Sequence, residues 1–491
     1  MLKEDLKIID KYQKEILVLG GVSSLLDWDQ QTYMPKNSLN TRSEQSSLIQ
    51  SIIHNKMTSD KFFQAVENLK KEKLDKRNSR LIEKLHKEIS KAKKLPKEFV
   101  EELSKTASLA FNAWIDAKEK NNFTIFQPYL EKIVVLKRKQ VDYLNSFLNM
   151  KGHKYNVLLD DFEEGMTVEK LSPLFEQLKN DLIKISKKIK IISKKNKLIN
   201  ELSKDLQIKL ANDMAVKIGL IKDYSRIDFS EHPFTTKIGI NDVRITYNLR
   251  DDQIFSFTST MHEAGHALYE LQLPKEEQYS FLGNAPSYGL HESQSRFWEL
   301  MIGLGKPLWR YIHKKYHLSS NYLNWYSTIN QIKNSPIRIE SSEIFYCLHI
   351  ILRFEIEKGL IDGSIKIKDL PKIWNAKMKE YLNITPKSDK EGVLQDVHWT
   401  QGYFGYFPSY ALGTIYSAQL YQALKKQIPN FEKEIEIGDF TIIKAWLREN
   451  IHKYGSTKIA EEIIKNATGD GLNPQVFIEY LNNKYKDIYS F

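Results

Sequence analysis

Apolar residues recur at intervals of three and four along most of this chain, with lysines and glutamates between them. Residues 60 to 105 are one example: Phe62, Val66 and Leu69, then Leu81, Leu85 and Ile89. Residues 166 to 220 are another, with a helix start at Thr167 to Glu169 and Thr167 as its cap. That period gathers apolar side chains on one helical face. Only 21 glycines and 14 prolines occur in 491 residues, so tight turns and short strands should be few. The expected fold is mainly α. One stretch departs from the pattern. His232 to Leu249, HPFTTKIGINDVRITYNL, alternates β-branched residues around Gly239-Ile240-Asn241-Asp242 and predicts a hairpin over 232–249.

Hydrophobic residues at 41 % and charged residues at 27 % describe a globular chain and exclude a disordered or collagen-like one. The net charge of +11 is spread over the whole length. The basic run Lys184, Lys187, Lys188, Lys190, Lys194, Lys195 and Lys197 alternates with isoleucines and has no aromatic cluster beside it. It reads as a solvated helix face, and no nucleic-acid partner is expected. Cys347 is the single cysteine, so intrachain disulfides and cysteine-based metal sites are excluded and a reducing compartment fits. The N-terminus carries charges throughout, and the apolar stretch Ile16 to Leu26 is too short to cross a bilayer. A cytoplasmic protein without a membrane partner is expected. No linker and no internal repeat divides the chain.

The chemistry begins at residues 262 to 266, HEAGH. Residues four apart share a helix face, so His262 and His266 can point at one ion. Glu263 lies about 100° round the helix and can reach a water on that ion. The small residues Ala264 and Gly265 permit close packing there. A catalytic zinc keeps three protein ligands and one open position. Glu292, 26 residues after His266, is the favoured third ligand, with His291 as rival. The intervening segment holds Pro, Gly and Asn and can turn back on itself. Such N/O ligands suit Zn2+, with Co2+ or Mn2+ as alternatives. The ion would lower the pKa of a bound water toward about 7, with Glu263 moving the proton. Metal-assisted hydrolysis of a peptide bond follows.

Together, HEAGH and HESQS at His291 to Ser295 resemble the metallocarboxypeptidases of the Taq type, relatives of the neurolysin and angiotensin-converting-enzyme zincins. Further segments agree: WDQQTYMPKNSLNTR at Trp28 to Arg42, HPF at His232 to Phe234, and DVRIT at Asp242 to Thr246. So do GVLQDVHW at Gly392 to Trp399 and GYFGYFPSYALG at Gly402 to Gly413. The segment Arg338 to Glu357 differs from the family's usual pattern: Ser341 and Ser342 replace Ala-Asp, and Phe345 and Cys347 replace Thr and Asn. The resemblance implies one catalytic domain over 1–491, with helical halves flanking a deep groove. It also implies a small sheet near the metal helix and a homodimer. The implied activity is removal of single C-terminal residues with broad preference.

An exopeptidase needs a fixed cation for the substrate's terminal carboxylate, and Arg is favoured for its bidentate fork. Arg338 is the first candidate, Arg244 the second and Arg353 a weaker third. By analogy with related zincins, His398 and Tyr410 are assigned to the developing oxyanion, with Tyr403 as substitute. The strand edge near Ile240 to Thr246 would pair with the extended substrate backbone. Two rivals stand beside this reading: an endo-acting oligopeptidase with the same machinery, and a basic helical nucleic-acid-binding protein. APSYG at Ala285 to Gly289 lacks the first glycine of a nucleophile elbow, and no Walker loop or dinucleotide fingerprint occurs.

Overall fold

A computed structural model describes residues 2–192, 202–250 and 252–489. It is 72 % helical with one three-stranded sheet, in line with the mainly α expectation. The periodic residues fall where their spacing puts them. Phe62, Val66 and Leu69 are buried on the helix Asp60–Lys70, and Leu81, Leu85 and Ile89 on Lys76–Lys94. These residues join Ile9 and Ile16 of the long helix Leu2–Thr32 in one hydrophobic cluster. The helix Val168–Ile192 starts at the foreseen place, with the Lys170 N–H donating to Thr167 Oγ1 at 3.3 Å. Lys184, Lys187 and Lys188 are exposed beside buried Ile185; Lys190 falls within the same helix, and Lys194, Lys195 and Lys197 lie outside the described residues. No helix among the described residues is long and apolar enough to cross a membrane.

The chain forms two compact units. One holds the described parts of 1–93, 197–329 and 416–471; the other holds those of 94–196, 330–415 and 472–491.

The sheet belongs to the first unit. Its strands are β1 (Ser225–Phe229), β2 (Thr235–Gly239) and β3 (Asp242–Tyr247), in the order β1-β3-β2. β2 and β3 form the expected antiparallel hairpin, with an irregularity between Lys237 and Gly239. β1 was not foreseen; it pairs in parallel with β3, Ser225 opposite Val243 and Phe229 opposite Tyr247. This corrects one expectation. β3 is the central strand, so its backbone groups are already taken on both sides and it has no free edge for a substrate. Val243 and Ile245 are buried on one face of the strand, where the helix Phe255–Gln272 packs. The loop before β2 is latched by Thr246 Oγ1, which accepts from the Phe234 N–H at 3.0 Å and from Ser230 Oγ at 2.6 Å.

In the second unit the helix Glu343–Asp362 is buried along most of its length. Glu357 on it is fully buried and accepts from three donors distant in sequence. These are Tyr155 Oη at 2.6 Å, Trp399 Nε1 at 2.7 Å and the Gly405 N–H at 2.9 Å. Burial raises its carboxyl to about 7 despite those bonds. Gly405 has φ +96°, and a Cβ there would stand 2.4 Å from the Leu158 carbonyl oxygen, so only glycine fits. Glu357 thus pins the segment carrying His398 and Tyr410. Glu357→Leu strands three buried donors at about 1–3 kcal/mol each, so a loss of at least ~3 kcal/mol is expected. Denaturant unfolding measures it; an unchanged midpoint would mean the three donors find other partners.

Candidate active site

The three candidate metal ligands lie in the first unit. His262 and His266 sit one turn apart on the helix Phe255–Gln272, and Glu292 comes from the helix Tyr288–Arg296. Ser287 caps that second helix, its Oγ accepting from the Leu290 N–H at 3.0 Å. The ligand atoms of the three residues all lie within 4.8 Å of one another. Glu292 Oε2 is 3.8 Å from His262 Nε2 and 3.5 Å from His266 Nε2. A tetrahedral ion with bonds of about 2.0–2.1 Å holds its ligand atoms roughly 3.4 Å apart. The three residues therefore fit a divalent cation. Gly265 makes this spacing possible: a Cβ there would be 2.6 Å from the Gln294 carbonyl oxygen and 2.8 Å from Ser295 Cα.

The charge around the cluster is of the matching sign. Glu263, Glu292 and Glu299 are offset by the single guanidinium of Arg296, whose Nε donates to Glu292 Oε1 at 2.8 Å. Burial works against ionising Glu292, but Arg296 and the two histidines hold it well below the usual carboxylate range. Burial also pushes His262 down, and the carboxylates of Glu292, Glu299 and Glu263 overcome this and raise it to about 9. For His266 the Glu292 carboxylate does not outweigh burial and the neighbouring His291, which lower it to about 3. Glu263 is held from the sheet side. Its Oε2 accepts from Thr235 Oγ1 at 2.6 Å, which ties it to β2, and burial raises its carboxyl.

His291, the rival ligand, is engaged elsewhere. Its Nε2 lies 2.8 Å from Glu270 Oε1, and Lys237 of β2 lies 3.0 Å from the other oxygen of Glu270. Its ring stacks on His266 with centroids 4.5 Å apart. It lies behind one ligand and outside the triad.

The second unit assembles a different group. Arg338 and Arg353 share Asp396. Arg353 reaches Oδ2 at 2.6 Å through Nε and 2.5 Å through Nη2, and Arg338 reaches Oδ1 at 3.2 Å. Tyr346 Oη accepts from Arg338 Nη1 at 2.9 Å, and the Arg338 guanidinium lies over the Tyr410 ring at 5.0 Å. Tyr410 Oη is 3.2 Å from His398 Nε2. Gln395 joins the two stretches of chain: its Oε1 accepts from the Arg338 N–H at 2.9 Å, and its Nε2 donates to the Pro336 carbonyl at 3.1 Å. Burial lowers His398 to about 4, so it is neutral at physiological pH; burial likewise lowers His349 to about 3. Arg353 is depressed by burial only to about 10 and stays charged. Two guanidinium groups against one carboxylate leave one positive charge in this buried group.

Two candidates remain. Arg244 makes a two-point contact with Asp242 at 2.8 and 2.7 Å and stacks on Trp28 at 4.6 Å. Tyr403 is half exposed, and its ring approaches Tyr406 at 6.3 Å. The His398 ring meets Tyr410, while the Tyr403 N–H donates to the His398 carbonyl at 3.1 Å. Sequence reasoning missed Thr235, Arg296, Glu299, Tyr346, Gln395 and Asp396. Gln395 and Asp396 stand in the same motif as His398, and that proximity was the available signal.

A helical fold carrying three side chains that could hold a metal ion is what a helical metallopeptidase presents. The chain belongs to the Carboxypeptidase Taq (M32) metallopeptidase family, matched over residues 8–485, and is a metallocarboxypeptidase. It is 37 % identical to Carboxypeptidase 1 of Bacillus subtilis (strain 168), over 98 % of this chain and 99 % of that protein. It is 36 % identical to Thermostable carboxypeptidase 1 of Pyrococcus furiosus, over 98 % of each. The crystal structure of M32 carboxypeptidase from Deinococcus radiodurans R1 superposes with a TM-score of 0.95 at 30 % identity, covering 99 % of this chain and 100 % of that one.

Proposed function

We propose that the enzyme is zinc-dependent and removes C-terminal residues from peptides with broad preference, with His262, His266 and Glu292 as ligands and Glu263 as the base. Three N/O ligands of this type without a thiolate support zinc, with Co2+ or Mn2+ as substitutes. The ion, when bound, polarises the scissile carbonyl and acidifies a water. Glu263 takes the proton of that water and delivers it to the leaving amine. Thr235 Oγ1 orients the carboxylate that does so. His398, neutral, and Tyr410 donate hydrogen bonds to the oxyanion. Tyr403, being half exposed, serves substrate contact at most.

The observation that carries the exopeptidase reading is the shared carboxylate: Asp396 neutralises only one of Arg338 and Arg353. The surplus charge suits a terminal carboxylate, and Arg338, with its second face on Tyr346 and Tyr410, is the anchor. Arg244, already matched one-to-one by Asp242, is the fallback. A charge-assisted pair of this kind is worth about 2–4 kcal/mol, or roughly 30- to 1000-fold in kcat/KM. Arg338→Ala should lose that factor on free-acid peptides and change little on C-terminally amidated ones. Mass spectrometry of the digests reads both: the wild type gives a ladder of single C-terminal losses. Internal cleavage of amidated and free-acid peptides alike would favour the endo-acting alternative.

The whole chain is taken to work as one catalytic domain, as a homodimer in the cytoplasm, on peptides and not on nucleic acid. The single cysteine is buried, which fits a reducing compartment. Sedimentation equilibrium tests the dimer, and a monomer at micromolar concentration would refute it.

A further inference from the structure

Nothing in the sequence pattern points to position 299. The helix Tyr288–Arg296 does not stop at Arg296 but passes into a π-helical turn, Phe297–Gly303. There the Leu304 N–H donates to the Glu299 carbonyl five residues back, at 3.1 Å. Such turns are rare and occur frequently at functional sites. Glu299 stands in this one with its carboxylate against the metal cluster: Oε2 is 2.8 Å from His262 Nδ1. Arg296 Nη1 lies 3.2 Å from the same oxygen, while Arg296 Nε donates to Glu292 Oε1 at 2.8 Å. One guanidinium therefore braces both the third ligand and the carboxylate behind the first.

A carboxylate accepts, so the ring proton of neutral His262 sits on Nδ1, and the Nε2 lone pair is left facing Glu292 Oε2 at 3.8 Å. His266 has no equivalent: its Nδ1 is buried without a hydrogen-bond partner. We infer that Glu299 is a positioning residue of the metal centre, fixing the tautomer and ring orientation of His262, with Arg296 holding Glu299 in place. The inference rests on His262, His266 and Glu292 being the ligands. Partners of this kind contribute to affinity as well as to orientation, because a freely rotating ring pays for its ordering when the ion binds.

The test is metal affinity of the folded protein, independent of turnover. Glu299→Ala should bind Zn2+ about 10- to 100-fold more weakly in a chelator competition. With Co2+ in place of Zn2+, its visible absorption bands should shift in position or intensity. Glu299→Gln keeps the shape without the charge and should fall between Glu299→Ala and the wild type. The melting midpoint of metal-free protein reports any general damage, and Glu299→Gln decides the matter should Glu299→Ala fail to fold. Wild-type Zn2+ affinity and an unchanged Co2+ spectrum in the folded variant would overturn the inference. His262→Ala separates the two readings. If it loses metal while the Glu299 variants do not, the ligands stand and the positioning role falls. If His262→Ala keeps wild-type affinity, the ligand assignment fails, and this inference with it.

Discussion

His266→Ala is expected to leave a folded protein without tightly bound metal and without peptidase activity. Three protein ligands complete the site, and with two the ion is held by water on half its positions. Loss of a supporting group alone costs up to about 100-fold in affinity, so loss of a ligand should exceed that. His262→Ala and Glu292→Ala should behave alike. Glu292 has a further consequence: its carboxylate is the Arg296 partner at 2.8 Å, so its removal takes from a nearly buried guanidinium the shorter of its two carboxylate contacts. That variant should also melt at a lower temperature, which the histidine variants need not do. His291→Ala is the comparator. It turns toward Glu270 rather than the triad and should keep its metal. Elemental analysis after gel filtration reads every case. Full metal content in Glu292→Ala with loss in His291→Ala would reverse the choice of third ligand.

Glu263→Gln separates binding from chemistry. The amide has the shape of the carboxyl, and its oxygen can still accept from Thr235 Oγ1, so the loop geometry and the metal should survive. What is lost is the capacity to take a proton from water. General-base catalysis contributes about 10²- to 10⁴-fold, and the loss should appear in kcat with little change in KM. A variant with near-normal kcat would place the proton transfer on another group.

Much of this protein is legible in its residues, and the parts that are not share a cause. Helices announce themselves through contacts three and four residues apart, so Phe62, Leu85 and Ile89 mark their own buried faces. HEAGH is legible for the same reason, since both histidines lie within one turn. β1 is five residues long, and its partner β3 lies beyond an intervening strand, so no local period reveals it. The central position of β3 was hidden with it. Glu299 and Asp396 were missed because their meaning depends on which residues face them across the fold. Glu299 looks like one end of a surface helix pair with Arg296 until His262 stands opposite it. Arg338 was picked out as a guanidinium able to fork a carboxylate, whereas the distinguishing fact, a carboxylate shared with Arg353, lies in tertiary space.

The contact at Gly265 has a thermodynamic consequence. The backbone of the histidine helix touches that of the Glu292 helix, with no side chain between them. The distance between the two helices that carry the proposed ligands is therefore set by main-chain atoms, which are much stiffer than side chains. A cation meets a cradle already at its working width, and little ordering free energy is spent when it enters. Ions whose preferred bond lengths differ by a few tenths of an ångström should then be ranked by fit to a fixed aperture. A methyl group at this position would separate the helices and widen the aperture, so Gly265→Ala should change the order in which the site takes up Zn2+, Co2+ and Mn2+.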